Sequence, residues 1–443
     1  MSKPSALSSQ HSVIKPVIKF FLLTLTTLLL SLALIAQQPN TIVLKGGKIL
    51  TVSHGTIENG VIVIENGRIA SVGAASTKLP AGAKVIDVTG MTVYPGLIDS
   101  ETHLGLTEIP ADRMTNDLVE TSDEIMPHMH VYDAFHAETE LIPVARVNGI
   151  TNAIVAPDSQ DTLPGQDIFI QLDGHDAPEM ILTRDIAMPL NFTGEQRRNE
   201  SFERAKYPQT RMGMAAQLRQ AFLDAQDYMQ KQDDYEKKAK TDKNATPPKR
   251  DLKLEALVPY LKGERPVILA ANSAPDVDTA VSLANEFHLK FILNHVEHAQ
   301  RALDYIASLH VPVIVGPIWE LPNADERYDA VYSLPAQLQK RGVKVILSTD
   351  DAHNVRNLPY AAGYAVAFGL PYDEALKSIT LYPAEAFGLD KDLGSIDVGK
   401  VANIVVANGD PLDVKTDVKR VFIRGREIPM VNRQTRLRDE YSH

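Results

Sequence analysis

From Met91 onward the chain alternates short apolar runs rich in β-branched residues with stretches of helical pattern, and this rhythm restricts the fold more than any other feature. Strands are expected at 93–98, 151–155, 168–172, about 180–188, 266–270, 290–293, 311–315 and 344–348. Eight strands alternating with helices predict an α/β chain built on a (β/α)8 TIM barrel. The third and fourth runs also fit a hairpin inside a loop. Before the barrel, residues 41–52, 60–67, 68–73 and 85–90 read as short strands between glycine turns, with Asn66-Gly67 a hairpin signal. Strand texture returns at 402–407 and 418–425.

The chain of 443 residues is long enough for a large barrel and a smaller companion. Its net charge of −11, with no basic cluster, argues against a nucleic-acid partner and leaves a small-molecule substrate as the expected ligand. It has no cysteine, which excludes disulfides, thiolate metal sites and a cysteine nucleophile. Residues 1–36 read as a signal peptide or signal anchor: Lys3, Lys15 and Lys19 precede an uncharged run over 20–36. Export is expected, to the periplasm or outside the cell. Leu34 is bulky for a cleavage site, so a membrane tether through residues 20–36 stays open as the second reading.

A charged insertion occupies 206–250. Its helix is expected from Thr210 through Gln232, followed by a polar tract over 233–250. A solvated helix and loop is the plain reading; its place between strands also makes it a candidate lid over the barrel mouth.

The first barrel strand runs through Pro95-Gly-Leu-Ile-Asp-Ser-Glu-Thr-His103. Glu101 and His103, two apart, share one face of a strand and can reach one ion. This stretch resembles the P-G-L-I-D-x-H-x-H segment of the amidohydrolase superfamily, with Glu101 in place of the first histidine. The closing stretch strengthens the resemblance: Tyr382-Pro-Ala-Glu-Ala-Phe-Gly-Leu389, then Gly394-Ser-Ile-Asp-Val-Gly-Lys400 and Ala402-Asn403, is similar to the family's N-P-A-x-x-L-G-L…G-S-[LI]-x-x-G-K-x-A-D pattern, with Asn403 for the usual aspartate. Gly149-Ile-Thr-Asn-Ala-Ile-Val-Ala-Pro157 and Gly165-Gln166 resemble the imidazolonepropionase-like branch. The likeness spans about 41–430. It implies a barrel over 93–390 and a small β-sandwich assembled from 41–92 and 394–430.

The resemblance also implies a site at the C-terminal ends of the strands. Glu101, His103, His295 and Asp350 fall at metal-ligand positions, and Asp350 matches the aspartate that also handles the proton. Ala270 stands where relatives carry a histidine on the fifth strand, and no lysine lies between Lys84 and Lys206 to bridge two metals. Glu195 is a candidate bridging carboxylate and His353 a candidate substrate contact. His128, His130 and His136 read as polar loop residues, since fixed ligand geometry needs a rigid element. Two imidazoles and two carboxylates suit one divalent ion, Zn, Mn or Fe. The implied activity is metal-dependent hydrolysis of a carbon–nitrogen bond other than a linear peptide bond. The alternative is a catalytically degenerate barrel that binds a small molecule or partners a homologue. Relatives commonly associate, so a homo-oligomer or a hetero-oligomer with a homologue is expected.

Overall fold

A computed structural model describes residues 41–120, 122–193, 208 and 210–442. The signal segment expected over 1–36 and Glu195 both lie outside the described residues. Among the described residues, no helix is long and apolar enough to cross a membrane.

The described residues form three sheets. The first has eight strands: β1 (Ile42–Leu50), β2 (Thr56–Glu65), β3 (Arg68–Gly73), β4 (Lys84–Asp87) and β5 (Thr92–Pro95) join β15 (Ile404–Ala407), β16 (Val418–Ile423) and β17 (Arg426–Ile428). The β-sandwich expectation is corrected in one respect. One edge of β1 pairs in parallel with β4 over its first half and with β5 over its second, so this is a single forked sheet. The fork falls at the irregular Lys45–Gly47 register, where Gly46 takes a φ of 91°. Alternation along the strands buries Leu44, Ile62, Ile64, Val93, Ile404 and Phe422 on one face.

The other two sheets are β6 (Leu97–Thr102), β7 (Ile150–Val155), β8 (Ile168–Gln171) and β9 (Ile181–Thr183), and the parallel β10 (Met188–Asn191), β11 (Val267–Ala270), β12 (Phe291–Asn294), β13 (Val313–Val315) and β14 (Val345–Leu347). Backbone bonds tie them at both edges. Asp350 N–H donates to the Glu101 carbonyl at 3.0 Å and His103 N–H to that of Asp351 at 3.1 Å. At the opposite edge Asp167 N–H reaches the Ala187 carbonyl at 3.0 Å. Between them Ile98, Ile154, Phe169, Ile268, Ile292, Ile314 and Ile346 form one buried cluster, floored by Phe387 and Leu393. Helices such as Ala274–Glu286 and Ala330–Gln339 pack their apolar residues against the outer faces of the strands.

Four expectations are corrected. The first barrel strand does not run unbroken over 93–98: it divides at Gly96 into β5, paired with β15, and β6, paired with β7. A Cβ at Gly96 would fall within the Thr151 side chain, so only glycine lets the chain pass between sheets here. Gly96→Ala is therefore expected to destabilise the protein by about 1–3 kcal/mol, the usual cost of overpacking, read as a lowered urea midpoint.

The third strand, β8, is antiparallel to β7, because the 156–167 link contains no helix to carry a parallel crossover. The fourth strand lies at β10 instead of 180–188. Asp176 caps a short helix over Ala177–Met180, and β9 and a turn at Asp185 (φ 53°) fill the rest.

The insertion helix runs from Arg211 to Ala239, seven residues past its expected end, with Thr210 as N-cap. Lys231–Asp227 and Lys237–Asp234 pairs and the basic last turn favour helix where the polar composition suggested coil. Its Leu218, Phe222 and Ala225 are buried, and it packs on the helices Leu252–Leu261 and Ala274–Glu286. Its described length packs in the helical layer, and its first residue, Arg211, lines the outer cavity.

Candidate metal centre

Glu101 is the penultimate residue of β6, and His103 comes directly after that strand. His295 comes directly after β12, and Asp350 three residues after the end of β14. His295 and Asp350 both take positive φ, 53° and 46°. Backbone of this kind costs energy in residues other than glycine and clusters at functional positions.

Three of the four side chains, Glu101, His295 and Asp350, converge, and His103 joins them through Asp350. His103 Nε2 lies 3.2 Å from Asp350 Oδ1. His295 Nε2 lies 3.5 Å from Glu101 Oε1 and 3.8 Å from Asp350 Oδ2, and is buried without a hydrogen bond to either. Glu101, His295 and Asp350 each offer one ligand atom within 4.8 Å of the others. The surroundings fix their orientation. His103 Nδ1 donates to the Ala156 carbonyl at 2.9 Å, which sets the ring and leaves Nε2 facing Asp350. Asn294 donates to Glu101 Oε2 at 2.6 Å. Below them Thr349 Oγ1 donates to Asp99 Oδ2 at 2.6 Å.

Burial and neighbouring charge set the protonation of this cluster. Burial pushes the Asp350 carboxyl up, and the Glu101 charge adds to it, outweighing the two imidazoles. Burial acts the same way on Glu101, but the charge and contact of His295 overcome it and hold Glu101 below the usual range. For His103 burial works against the charged form, yet Asp350 raises the ring to about 9. His295 stands well above its ordinary value because Glu101 and Asp350 together outweigh burial. Glu101 and Asp350, facing two basic imidazoles around an orphaned Nε2, form a donor set suited to a divalent cation.

A cavity of about 310 Å³ opens over His103, His295 and Asp350. Its walls add three more carboxylates, Asp158, Glu297 and Glu320. It shares Thr193 and Asn272 with a larger outer cavity of about 1010 Å³. His353 does not line it; its Nε2 donates to the Glu108 carbonyl at 2.9 Å. His130 pairs with Asp185 and His136 with Asp117, away from the cavity. Ala270 ends β11 in register with Asn191 and Asn294, so the ends of three adjacent strands present two amides and a methyl group.

Several acidic residues escaped the sequence reading. Asp99 is fully buried and pushed to about 8 by that burial. Asp167 is fully buried, neither of its oxygens is hydrogen-bonded, and burial holds it well above its ordinary range. Glu297, 2% exposed, accepts the Gly316 amide at 3.0 Å and is pushed to about 7, chiefly by burial. Only Glu297 had a usable signal, two residues past His295.

The amidohydrolase family pattern matches residues 309–428. An amidohydrolase of known structure from Thermotoga maritima superposes with a TM-score of 0.81 at 28% identity, covering 88% of this chain and 100% of that one. The amidohydrolase tasK of Hapsidospora irregularis is 27% identical over 398 residues, 83% of this chain but 39% of that protein. A dihydroorotase of Geobacter sulfurreducens is 43% identical over 63 residues, 14% of this chain and 15% of its own. The chain thus spans well under half the length of these two curated relatives. The family pattern and these relatives support the amidohydrolase superfamily for this chain.

Proposed function

We propose that this protein is a metal-dependent hydrolase of carbon–nitrogen bonds in amides or cyclic amides other than linear peptides, with its site at the open end of a (β/α)8 barrel closed from β6 to β14. One observation carries the reading: Glu101, His295 and Asp350 each bring one ligand atom within 4.8 Å of the others, and His103 Nε2 joins them 3.2 Å from Asp350. These four would hold one Zn, Mn or Fe ion, which when bound supplies Lewis acidity toward water and the substrate carbonyl. Asp350, at the cavity floor, takes a proton from water and returns it to the leaving nitrogen. Asn294 keeps Glu101 turned inward, and the Ala156 carbonyl keeps His103 Nε2 directed at the same point. The branch resembling imidazolonepropionase and the relatives named for amide and ring-amide chemistry support the bond class.

The test is metal content followed by turnover. Chelator-stripped protein reconstituted with Zn, Mn or Fe should retain one ion per chain, and His295→Ala should lower that affinity by at least about a hundredfold. Hydrolysis of a cyclic-amide and N-acyl panel should vanish with the ion. Wild-type protein that keeps no stoichiometric ion would exclude this chemistry. The Asn191–Ala270–Asn294 row, which lacks ligands for a second ion, favours the other reading: a small-molecule-binding barrel or partner subunit. The leader over 1–36 supports export to the periplasm or beyond, which intact mass of the exported protein would check.

A further inference from the structure

The inner cavity carries more negative charge than one ion accounts for. Glu101 and Asp350 face the two imidazoles and the ion they would hold. Asp158, Glu297 and Glu320 line the same space and are left over. No lysine or arginine lines this cavity among the described residues, and no ion pair joins one to any of these three carboxylates there. Glu297 is almost wholly buried, with the Gly316 amide on one oxygen, and Glu320 lines the same cavity. The lining holds no aliphatic or aromatic side chain for a neutral hydrocarbon tail to pack against. A second feature marks a ligand position in the same place, the unpartnered His295 Nε2.

Resting on the hydrolase reading above, we infer that the cavity selects substrates bearing a positive charge: an ammonium, amidinium or guanidinium group sits against Glu297 and Glu320 while the scissile carbonyl faces Asp350 and the imidazoles. The remainder of such a molecule extends past Thr193 and Asn272 into the outer cavity. Glu297 follows His295 by two residues, so the seat for the charge and the ligand for the ion are placed by one turn of chain after β12. Glu320 comes from the segment after β13 and closes the seat from its solvent side, where it is exposed.

The experiment compares three amides of one chain length, 6-aminohexanamide, hexanamide and the monoamide of adipic acid, titrated into the full reconstituted protein. Binding is read by isothermal titration calorimetry, which measures occupancy of the cavity without a reporter residue. The cationic amide should bind about tenfold tighter than hexanamide, with the anionic one weakest. In Glu320→Gln that preference should fall below about threefold, because one of the two charges opposing the cation is gone. Glu297→Gln serves as the second variant, with circular dichroism as the check on folding. Equal or undetectable binding of the three amides overturns the inference, and so does a cation preference unchanged in both variants. Metal content is measured on the same samples. Protein that prefers the cation but retains no ion defeats the hydrolase reading alone, whereas protein that holds its ion and shows no preference defeats only this inference.

Discussion

Asp350→Asn should lower turnover by roughly two to four orders of magnitude, the range typical of a lost general base and acid, with little change in the thermal midpoint. Asparagine matches aspartate in shape and tolerates the left-handed backbone that position 350 adopts, so the fold has no reason to fail. What changes is chemical. The amide cannot accept a proton from water, and it removes the anion facing His103 Nε2 at 3.2 Å. The His103 ring should then titrate at lower pH, which imidazole proton resonances would record. Turnover within twofold of wild type on any hydrolysed substrate would remove Asp350 from proton handling.

The second large effect is on pH. With its folded value near 9, above the ordinary imidazole value of about 6.5, His103 contributes stability to the metal-free protein. That contribution is fully present below pH about 6.5 and is lost as pH rises through about 9. Metal uptake runs the opposite way, because an imidazolium cannot bind a cation until it gives up its proton. Apparent metal affinity should therefore rise about tenfold per pH unit between pH 7 and 9 for the one proton on His103, and more steeply if His295 releases its proton in the same range. Competition with a chromophoric chelator across that range would measure it. A flat profile would mean that the imidazoles are already neutral in the metal-free protein.

Much of the architecture could be read from the sequence because buried strands betray themselves as apolar runs. β7, β11, β12 and β14 fall within about two residues of their expected positions. The segment around β10 could not be placed, since Met188-Pro-Leu-Asn191 is short and follows a capped turn that only the folded chain reveals. The break at Gly96 was hidden for a related reason: 93–98 reads as one apolar run, and only the Thr151 side chain shows why it must divide. At the site, Glu101, His103, His295 and Asp350 could be nominated because the resemblance marks ligand positions at or just past the ends of recognisable strands. Asp99 and Asp167 could not, because an aspartate next to an apolar run gives no sign of whether it will be sealed from water. Ligand candidates are thus a local property of sequence, whereas the charge around them depends on tertiary burial.

The forked sheet has a consequence for how the molecule is made. β15 lies between β5 and β16, and β5 passes through Gly96 directly into the strand that holds Glu101. Until residues 404–407 leave the ribosome, the edge of β5 that pairs with β15 is open. Maturation of the centre should thus wait for almost the whole polypeptide, and a nascent chain stalled before that point should be sensitive to protease and take up no ion.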